Sequence, residues 1–338
     1  MLKKMYNSIK GFVLEEYKFL IVMASIFIIL NIPLNYYIIV GGGISDAEKR
    51  IKVPEKNNSK GSFNISYVTQ LNGNVLTYLL SYVVPLWERE NPDDYKFDKN
   101  ESIEDIAFRS DLDLKTANGT ATYWAYTLAN KDVKEKSSKL YVIATYPDEF
   151  KTTLKVQDEI ISMDQKSYKT VEEYSNYIQS KNVNDEIEVK VIRNKKEKMV
   201  KAKVYEKQNR KLLGVTLQYV KEYKTNPKVD IKFKNSESGP SAGLITTLEI
   251  YNQLTKKDLT KGKTIAGTGT IEPDGTIGEI GGIEHKILGA YHAKADIFIC
   301  PGGDNYKDAQ AYIKKKKIKI KLIKVDTIQE TINILNNI

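Results

Sequence analysis

The chain has 338 residues, 41% of them hydrophobic, which is enough for two modest domains with their own cores. Its 52 lysines and arginines exceed its 43 aspartates and glutamates, but they are scattered, and no nucleic-acid-binding motif accompanies the net charge of +9. The single cysteine, Cys300, excludes an intrachain disulfide, and the two histidines do not form the H-E-x-x-H motif of zinc proteases. We therefore expect neither a nucleic-acid partner nor a bound metal.

The N-terminal region is predicted to anchor the chain in a membrane. Residues 1–18 are expected to be cytoplasmic, and residues 19–40 carry no charge and are long enough for a transmembrane helix, which needs about 20 residues. Lys3, Lys4 and Lys10 precede the apolar stretch and favour a location outside the cytoplasm for the chain that follows it. A cleaved signal peptide is the alternative, but no clear small-x-small cleavage site follows.

The next region, residues 41–135, is too long for a linker and is expected to pack on the C-terminal lobe, residues 209–338. Residues 62–69 alternate in polarity and predict a strand that joins the sheet of that lobe. Residues 74–90 predict a helix interrupted by Pro85, and residues 101–129 predict helical stretches with a break near Asn118-Gly119.

Residues 136–208 have the pattern of a separate module. The segment Leu154–Asp164 resembles a strand region of bacterial PDZ domains, which bind peptides by adding a strand to an exposed sheet edge. Gln157 stands where that pattern has glycine, and no glycine-rich carboxylate-binding loop precedes Leu140. A PDZ-like shape is therefore expected more than capture of peptide C-termini, and a structural spacer is the alternative. The predicted elements are a helix at 171–179 and strands at 140–144, 186–193 and 197–204.

Residues 209–338 alternate predicted strands with predicted helices, which favours an α/β lobe. The predicted strands lie at 214–219, 229–234, 264–271, 276–280, 296–300 and 318–325. The predicted helices lie at 241–253, 284–294 and 306–316, and a C-terminal helix is expected to be capped by Asp326.

Two stretches of this lobe carry the chemistry. Ser238-Gly239-Pro240-Ser241-Ala242-Gly243 places Ser241 among small residues at a predicted helix start, where unpaired backbone N–H groups can hold an oxyanion. A serine becomes a nucleophile when a base takes its proton. Lys286, on a predicted helix entered through Gly281-Gly282, can be that base if burial lowers its pKa from about 10.4 towards neutrality.

Together, GPSAG and IGEIGGIEHK resemble the Ser–Lys dyad region of Lon-type proteases. The resemblance runs from about Lys211 to the C-terminus and implies that Ser241 is the nucleophile and Lys286 the general base. It also implies that Thr268 hydrogen-bonds the lysine. We expect the backbone N–H groups of Gly239 and Ser241 to form the oxyanion hole. Ser238 stands where many Lon proteases have aspartate, so the resemblance does not extend to an acidic partner.

With its upstream features, the chain resembles the membrane-anchored, PDZ-containing Lon-like proteases of Gram-positive bacteria. The expected fold is an α/β (α+β) Lon-like lobe plus a PDZ-like module, preceded by one transmembrane helix. The expected activity is cofactor-free cleavage of peptides or unfolded proteins at the cell surface. Independence of ATP is expected because Gly262-Lys263-Thr264 is only a fragment of a phosphate-binding loop. Lon-like lobes often form rings, so a homo-oligomer such as a hexamer is compatible with the resemblance.

Two other functions remain open from the residues alone. The sequence around Ser241 also satisfies G-x-S-x-G, and His285 follows Asp258 and Asp274, as a Ser…Asp…His hydrolase requires. Little chain follows Ser241 to complete such a fold, and His285 and Lys286 point about 100° apart on a helix. The second alternative is a non-catalytic, membrane-tethered peptide-binding scaffold, which a covalent serine probe would distinguish from an enzyme.

Overall fold

The computed structural model describes residues 2–54, 59–255 and 257–338, which form two compact units. The first unit contains Met1–Gly41 and Val68–Asp94, and the second contains Gly42–Tyr67 and Tyr95–Ile338. The helices are α1 (Leu2–Leu30), α2 (Val75–Leu80), α3 (Ile103–Leu128), α4 (Val171–Gln179), α5 (Gly243–Thr255), α6 (Ile283–His292), α7 (Gly303–Lys316) and α8 (Ile328–Asn336). The strands are β1 (Pro33–Asp46), β2 (Ile51–Lys52), β3 (Ser62–Asn74), β4 (Glu88–Glu90), β5 (Asp132–Thr145), β6 (Glu159–Met163), β7 (Glu186–Arg193), β8 (Lys196–Lys203), β9 (Tyr205–Lys207), β10 (Arg210–Leu212), β11 (Val215–Asn226), β12 (Asp230–Ile231), β13 (Thr264–Gly267), β14 (Ile297–Pro301) and β15 (Lys321–Val325).

The predicted transmembrane helix over residues 19–40 is wrong, because α1 ends at Leu30 and β1 begins at Pro33. The Asn31 side chain donates to the carbonyl of Phe27 (2.8 Å) at the helix end, and Pro33 has no N–H with which to continue the helix. In the part of the chain that the structure describes, no helix combines the length and the apolar character needed to cross a membrane.

The helix predicted over residues 74–90 is also shorter than expected. It is α2, which Asn74 caps through the N–H of Thr77 (2.8 Å) and which ends at Leu80. Pro85 and the left-handed backbone of Leu86 (φ 65°) are incompatible with continuing the helix, and the short strand β4 follows.

The sheet of the C-terminal α/β lobe contains β15, β14, β13 and β3 as parallel neighbours, with β1 next to β3. The prediction that residues 62–69 join this sheet is confirmed, since Ile65 pairs with Gly267 of β13. Residues 276–280 do not form the predicted strand. Asp274 accepts the N–H of Thr276 (3.0 Å) in a turn, and the β-pairing of Thr276 is a single bridge to Thr327.

The C-terminal helix α8 is capped one residue later than predicted. The hydroxyl of Thr327, and not Asp326, accepts the N–H of Glu330 (3.2 Å). The helix packs through fully or nearly fully buried apolar residues onto the core of the lobe. Buried apolar residues from the strands and from α5 complete this core, including Phe63, Ile65, Leu244, Leu248, Ile265, Ile297 and Ile299.

The PDZ-like module has its own antiparallel sheet, in the order β11-β5-β6-β7-β8, and its own apolar core. The helix predicted at 171–179 and the strand predicted at 186–193 are confirmed as α4 and β7. Gln157, which replaces a glycine of the PDZ pattern, keeps the left-handed backbone (φ 75°) that glycine would favour.

Helix α3 runs without the break predicted at Asn118-Gly119. A side chain at position 119 would come within 2.5 Å of the Lys221 carbonyl, so glycine here permits close packing of α3 on β11. The same helix packs against α5. Within the second unit, α3 therefore contacts both the PDZ-like sheet and the helix that follows Ser241.

Candidate active site

Ser241 lies in the turn directly before α5 and is half-buried. Its carbonyl accepts the N–H of Gly269 (2.9 Å), and the carbonyl of Gly269 accepts the N–H of Leu244 (3.0 Å). Gly243 permits this close approach, since a Cβ there would lie 3.0 Å from the backbone nitrogen of Ile271. The helix start that carries Ser241 is thus fixed to the segment after β13.

Thr268 and Lys286 meet Ser241 at this segment. Lys286 lies on α6, which follows Gly282 in a left-handed conformation (φ 68°), as the paired glycines of the motif suggested. Its Nζ donates to the Thr268 hydroxyl (3.2 Å), and that hydroxyl donates to the Ser241 carbonyl (3.2 Å). Thr268 is fully buried and Lys286 is 4% exposed. The three predicted residues therefore lie together, although the serine contact is made by its backbone.

Burial lowers the pKa of Lys286 to about 8. The cause is desolvation, because a buried ammonium loses the water that stabilises its charge. A lysine with this pKa is partly neutral near physiological pH and can accept a proton, which a surface lysine cannot do there.

The first predicted oxyanion-hole donor is engaged elsewhere in this conformation. The N–H of Gly239 donates to the carbonyl of Ser110 on α3 (3.1 Å). Gly239 has a φ of 85°, and a Cβ at this position would meet no atom within 4 Å. The prediction for Gly239 thus disagrees with this conformation, because α3 lies close enough to supply an acceptor.

The acids of the alternative Ser…Asp…His arrangement have other partners. The carboxylate of Asp258 accepts from Ser59 (3.1 Å) and from the N–H of Thr260 (3.1 Å), whereas Asp274 accepts from the Thr276 hydroxyl (2.7 Å). His285 is buried on α6, next to Lys286. Both carboxylates are therefore engaged by donors other than a histidine.

A second candidate site, a groove of about 550 Å³, lies between α4 and the start of β11 in the PDZ-like module. This groove was not predicted from the sequence, because a carboxylate-binding loop was expected before Leu140. The loop at this groove instead precedes β11 and includes Gly214 with a φ of 69°. The signal was present in Leu212-Leu213-Gly214-Val215, a glycine flanked by apolar residues. Apolar side chains that line the groove are Val171, Ile178, Leu212, Leu213, Val215 and Leu217.

Helix α4 holds the loop of this groove at one end. The Gln179 side chain donates to the Lys211 carbonyl (2.7 Å) and accepts the Lys211 N–H (3.0 Å). The Nζ of Lys211 in turn donates to the carbonyls of Gln179 (3.0 Å) and Lys181 at the end of the helix. The groove is therefore closed at the C-terminal end of α4 by a fixed loop.

Comparison with known families assigns both parts of the chain. Residues 187–337 match the family model of the Lon protease (S16) C-terminal proteolytic domain, and residues 131–204 match that of the PDZ domain. The chain carries a Lon proteolytic domain and a PDZ domain. The Lon domain supports a serine protease.

Similar proteins agree with this assignment over part of the chain. The Lon protease of Ureaplasma parvum is 36% identical over 26% of this chain, and that of Trichlorobacter lovleyi is 34% identical over 29%. The chain spans 11% and 12% of the length of these two curated relatives.

Among solved structures, the PDZ domain of an SdrC-like protein from Listeria monocytogenes is 24% identical. The match covers 25% of this chain and 92% of that one, with a TM-score of 0.23. A PDZ domain of an SdrC-like protein from Listeria innocua is 25% identical. The match covers 23% of this chain and 92% of that one, with a TM-score of 0.22.

Proposed function

We propose that this chain is an ATP-independent serine endopeptidase in which Ser241 and Lys286 form the catalytic dyad. The observation that supports this most directly is the chain of contacts from the buried Lys286 amine through Thr268 to Ser241. The lowered pKa of Lys286 supplies the second requirement, a base that is neutral at moderate pH.

The reaction begins when neutral Lys286 accepts the proton of the Ser241 hydroxyl as its oxygen attacks the peptide carbonyl. The resulting ammonium then protonates the leaving amine, and an ester joins Ser241 to the acyl part of the substrate. In the second half, Lys286 accepts a proton from a water molecule as its oxygen attacks the ester carbonyl. The ammonium then returns that proton to the Ser241 oxygen as the ester C–O bond breaks, which releases the acid product and restores the free serine and the neutral lysine. Thr268 accepts a hydrogen bond from the lysine and so orients its Nζ throughout.

Backbone N–H groups stabilise the negative oxygen of each tetrahedral intermediate in this proposal. Ser241 at the start of α5 supplies one donor. Gly239 can supply the other only after its N–H leaves the carbonyl of Ser110, and its open surroundings leave space for that rotation. Substrate binding would then complete the oxyanion hole.

We further propose that the groove of the PDZ domain binds the C-terminal segment of an unfolded substrate. β11 is an edge strand of its sheet, so a peptide can add to it as a further strand. The apolar lining of the groove favours an apolar final side chain.

Replacement of Val171 tests the role of the groove. Val171 is 39% exposed and begins α4, so Val171→Glu places a charge in the groove while an acidic residue suits the first helical turn. We expect KM for an unfolded protein with an apolar C-terminus to rise about tenfold, since one apolar contact is worth about 1.5 kcal/mol. Val183→Glu is the control, because Val183 is equally exposed outside the groove lining. Equal KM values for the two variants would contradict substrate binding in the groove.

We also propose that the protein acts at the outer face of the cell membrane, as in the Gram-positive proteases that it resembles. Apolar side chains of α1 are exposed, including Phe12, Leu14, Ile21 and Phe27. Sedimentation of the full chain with membranes, and its release after deletion of residues 1–30, would test attachment. External protease added to intact cells would test whether the chain lies on the outer side of the membrane. Light scattering would test whether the chain forms a homo-oligomer such as a hexamer.

The enzyme assay compares wild type with Ser241→Ala on an unfolded protein and on a short fluorogenic peptide. Hydrolysis of both by wild type, its loss in the variant and its insensitivity to ATP and magnesium are expected. Peptide binding without hydrolysis in wild type would instead support the non-catalytic scaffold.

A further inference from the structure

Arg50 contacts the segment of the chain that directly precedes Ser241. The guanidinium of Arg50 makes a bidentate contact with the carboxylate of Glu237: Nε donates to Oε2 (3.0 Å) and Nη2 donates to Oε1 (2.6 Å). The side chains of Arg50 and Glu237 are 14% and 29% exposed. Bidentate contacts of this kind fix orientation as well as distance, because both groups are planar.

Both groups remain charged around neutral pH. Burial opposes ionisation of Glu237, but hydrogen bonds from Arg50 and from the N–H of Lys234 leave its pKa below the ordinary value. The hydrogen bond to Glu237 raises the pKa of Arg50. The pair is thus permanently ionic in the pH range in which Lys286 titrates.

Arg50 and Glu237 also fix the backbone before Ser241. The carbonyl of Arg50 accepts the N–H of Lys232 (2.8 Å). The Glu237 carboxylate accepts a hydrogen bond from the backbone N–H of Lys234 (2.7 Å). The backbone N–H of Glu237 donates to the Lys234 carbonyl (2.9 Å). A closed turn from Lys234 to Glu237 is therefore attached to Arg50 by both side chain and backbone.

The residues next to Arg50 contact α5, the helix that follows Ser241. The side chain of Gln253 on α5 accepts the N–H of Val53 (2.8 Å) and donates to the carbonyl of Ile51 (3.1 Å). Residues 50–53 therefore contact both the turn before Ser241 and the helix after it.

We infer that Arg50 and Glu237 are positioning residues for Ser241, an inference that rests on the proposed function. Only Ser238, Gly239 and Pro240 separate Glu237 from the nucleophile, and glycine gives this link conformational freedom. A displacement of about 1 Å can cost a reaction as much as a hundredfold in rate. The ion pair limits such displacement.

Glu237→Gln in the full chain tests this role, since glutamine keeps the size of the side chain but loses the charge. We expect kcat for a short peptide to fall about tenfold, equivalent to about 1.4 kcal/mol of barrier, while KM changes less than about threefold. The pH at half-maximal activity should stay at the wild-type value, because Lys286 and Thr268 are unchanged.

The PDZ domain offers a matched control. Arg193 donates to Asp158 through Nε (2.7 Å) and Nη2 (2.6 Å), and Asp158 also accepts the N–H of Lys155 (2.8 Å). This pair repeats the arrangement of Arg50, Glu237 and Lys234 at another place in the fold. Asp158→Asn should lower the melting temperature and leave kcat for the short peptide at the wild-type value.

Exchange of the two charges, Arg50→Glu with Glu237→Arg, should recover part of the kcat that Glu237→Gln loses. A Glu237→Gln enzyme with kcat within about twofold of wild type, or equal kcat losses in Glu237→Gln and Asp158→Asn, would overturn the inference. If the proposed function itself is wrong, the result is different, because Ser241→Ala will then hydrolyse the short peptide as fast as wild type does.

Discussion

Raising the pH from 7 to 9 is expected to increase kcat/KM for a short peptide about tenfold, because Lys286 must be neutral to accept the serine proton. Burial lowers its pKa to about 8. With that pKa, about a tenth of the lysine is neutral at pH 7 and about nine tenths at pH 9. The rise in rate should follow this neutral fraction.

The assay measures initial rates of hydrolysis of a fluorogenic peptide between pH 6 and 10 at constant ionic strength. The dependence of kcat/KM on pH reports the free enzyme, in which Lys286 has the surroundings described above. An apparent pKa near about 10.4 would mean that the base is a solvated lysine, which would contradict the assignment of the buried Lys286.

Lys286→Arg is the control for this profile. Arginine keeps a positive charge but does not lose its proton in this range, so it cannot act as the base. We expect no recovery of activity at high pH. A variant that keeps more than about a tenth of wild-type turnover, a loss below about 1.4 kcal/mol, would refute the assignment of Lys286.

Two further predictions concern buried polar groups. Thr268→Val should lower kcat about tenfold by removing the hydroxyl that accepts from Lys286, whereas Thr268→Ser should keep most of the activity, and equal rates in the two variants would contradict the role of the hydroxyl. Burial raises the pKa of the Glu249 carboxyl to about 7. The protonated carboxyl therefore stabilises the native state at low pH, and this contribution to the free energy of unfolding is lost as the pH rises through 7. Between pH 5 and 8, denaturant titration should show that wild type loses about 3 kcal/mol of unfolding free energy relative to Glu249→Gln, and parallel curves would contradict this.

The grouping of the residues of the proposed dyad could be predicted from sequence because its signals are local. Ser241 and Lys286 each sit in a short motif, and the fold brings the two motifs together through Thr268. Helix α4 and strand β7 were equally predictable, since each has a clear polar–apolar period.

Features that depend on distant partners were not predictable. Residues 19–40 are uncharged throughout, and hydropathy alone does not separate the end of α1 from a strand that pairs with β3. Gly119 indicates a helix break by propensity, but packing against Lys221 outweighs that preference. Arg50 and Glu237 are 187 residues apart, so no local pattern connects them.

The most direct test of the central claim is intact-protein mass spectrometry after reaction with a covalent serine probe. Wild type at pH 9 should gain one adduct, which peptide mapping places on Ser241, and Ser241→Ala should gain none. Lys286→Arg should react too slowly to detect, because nothing removes the serine proton. Peptide hydrolysis by wild type without an adduct on Ser241, or an unchanged adduct in Ser241→Ala, would contradict the Ser–Lys mechanism.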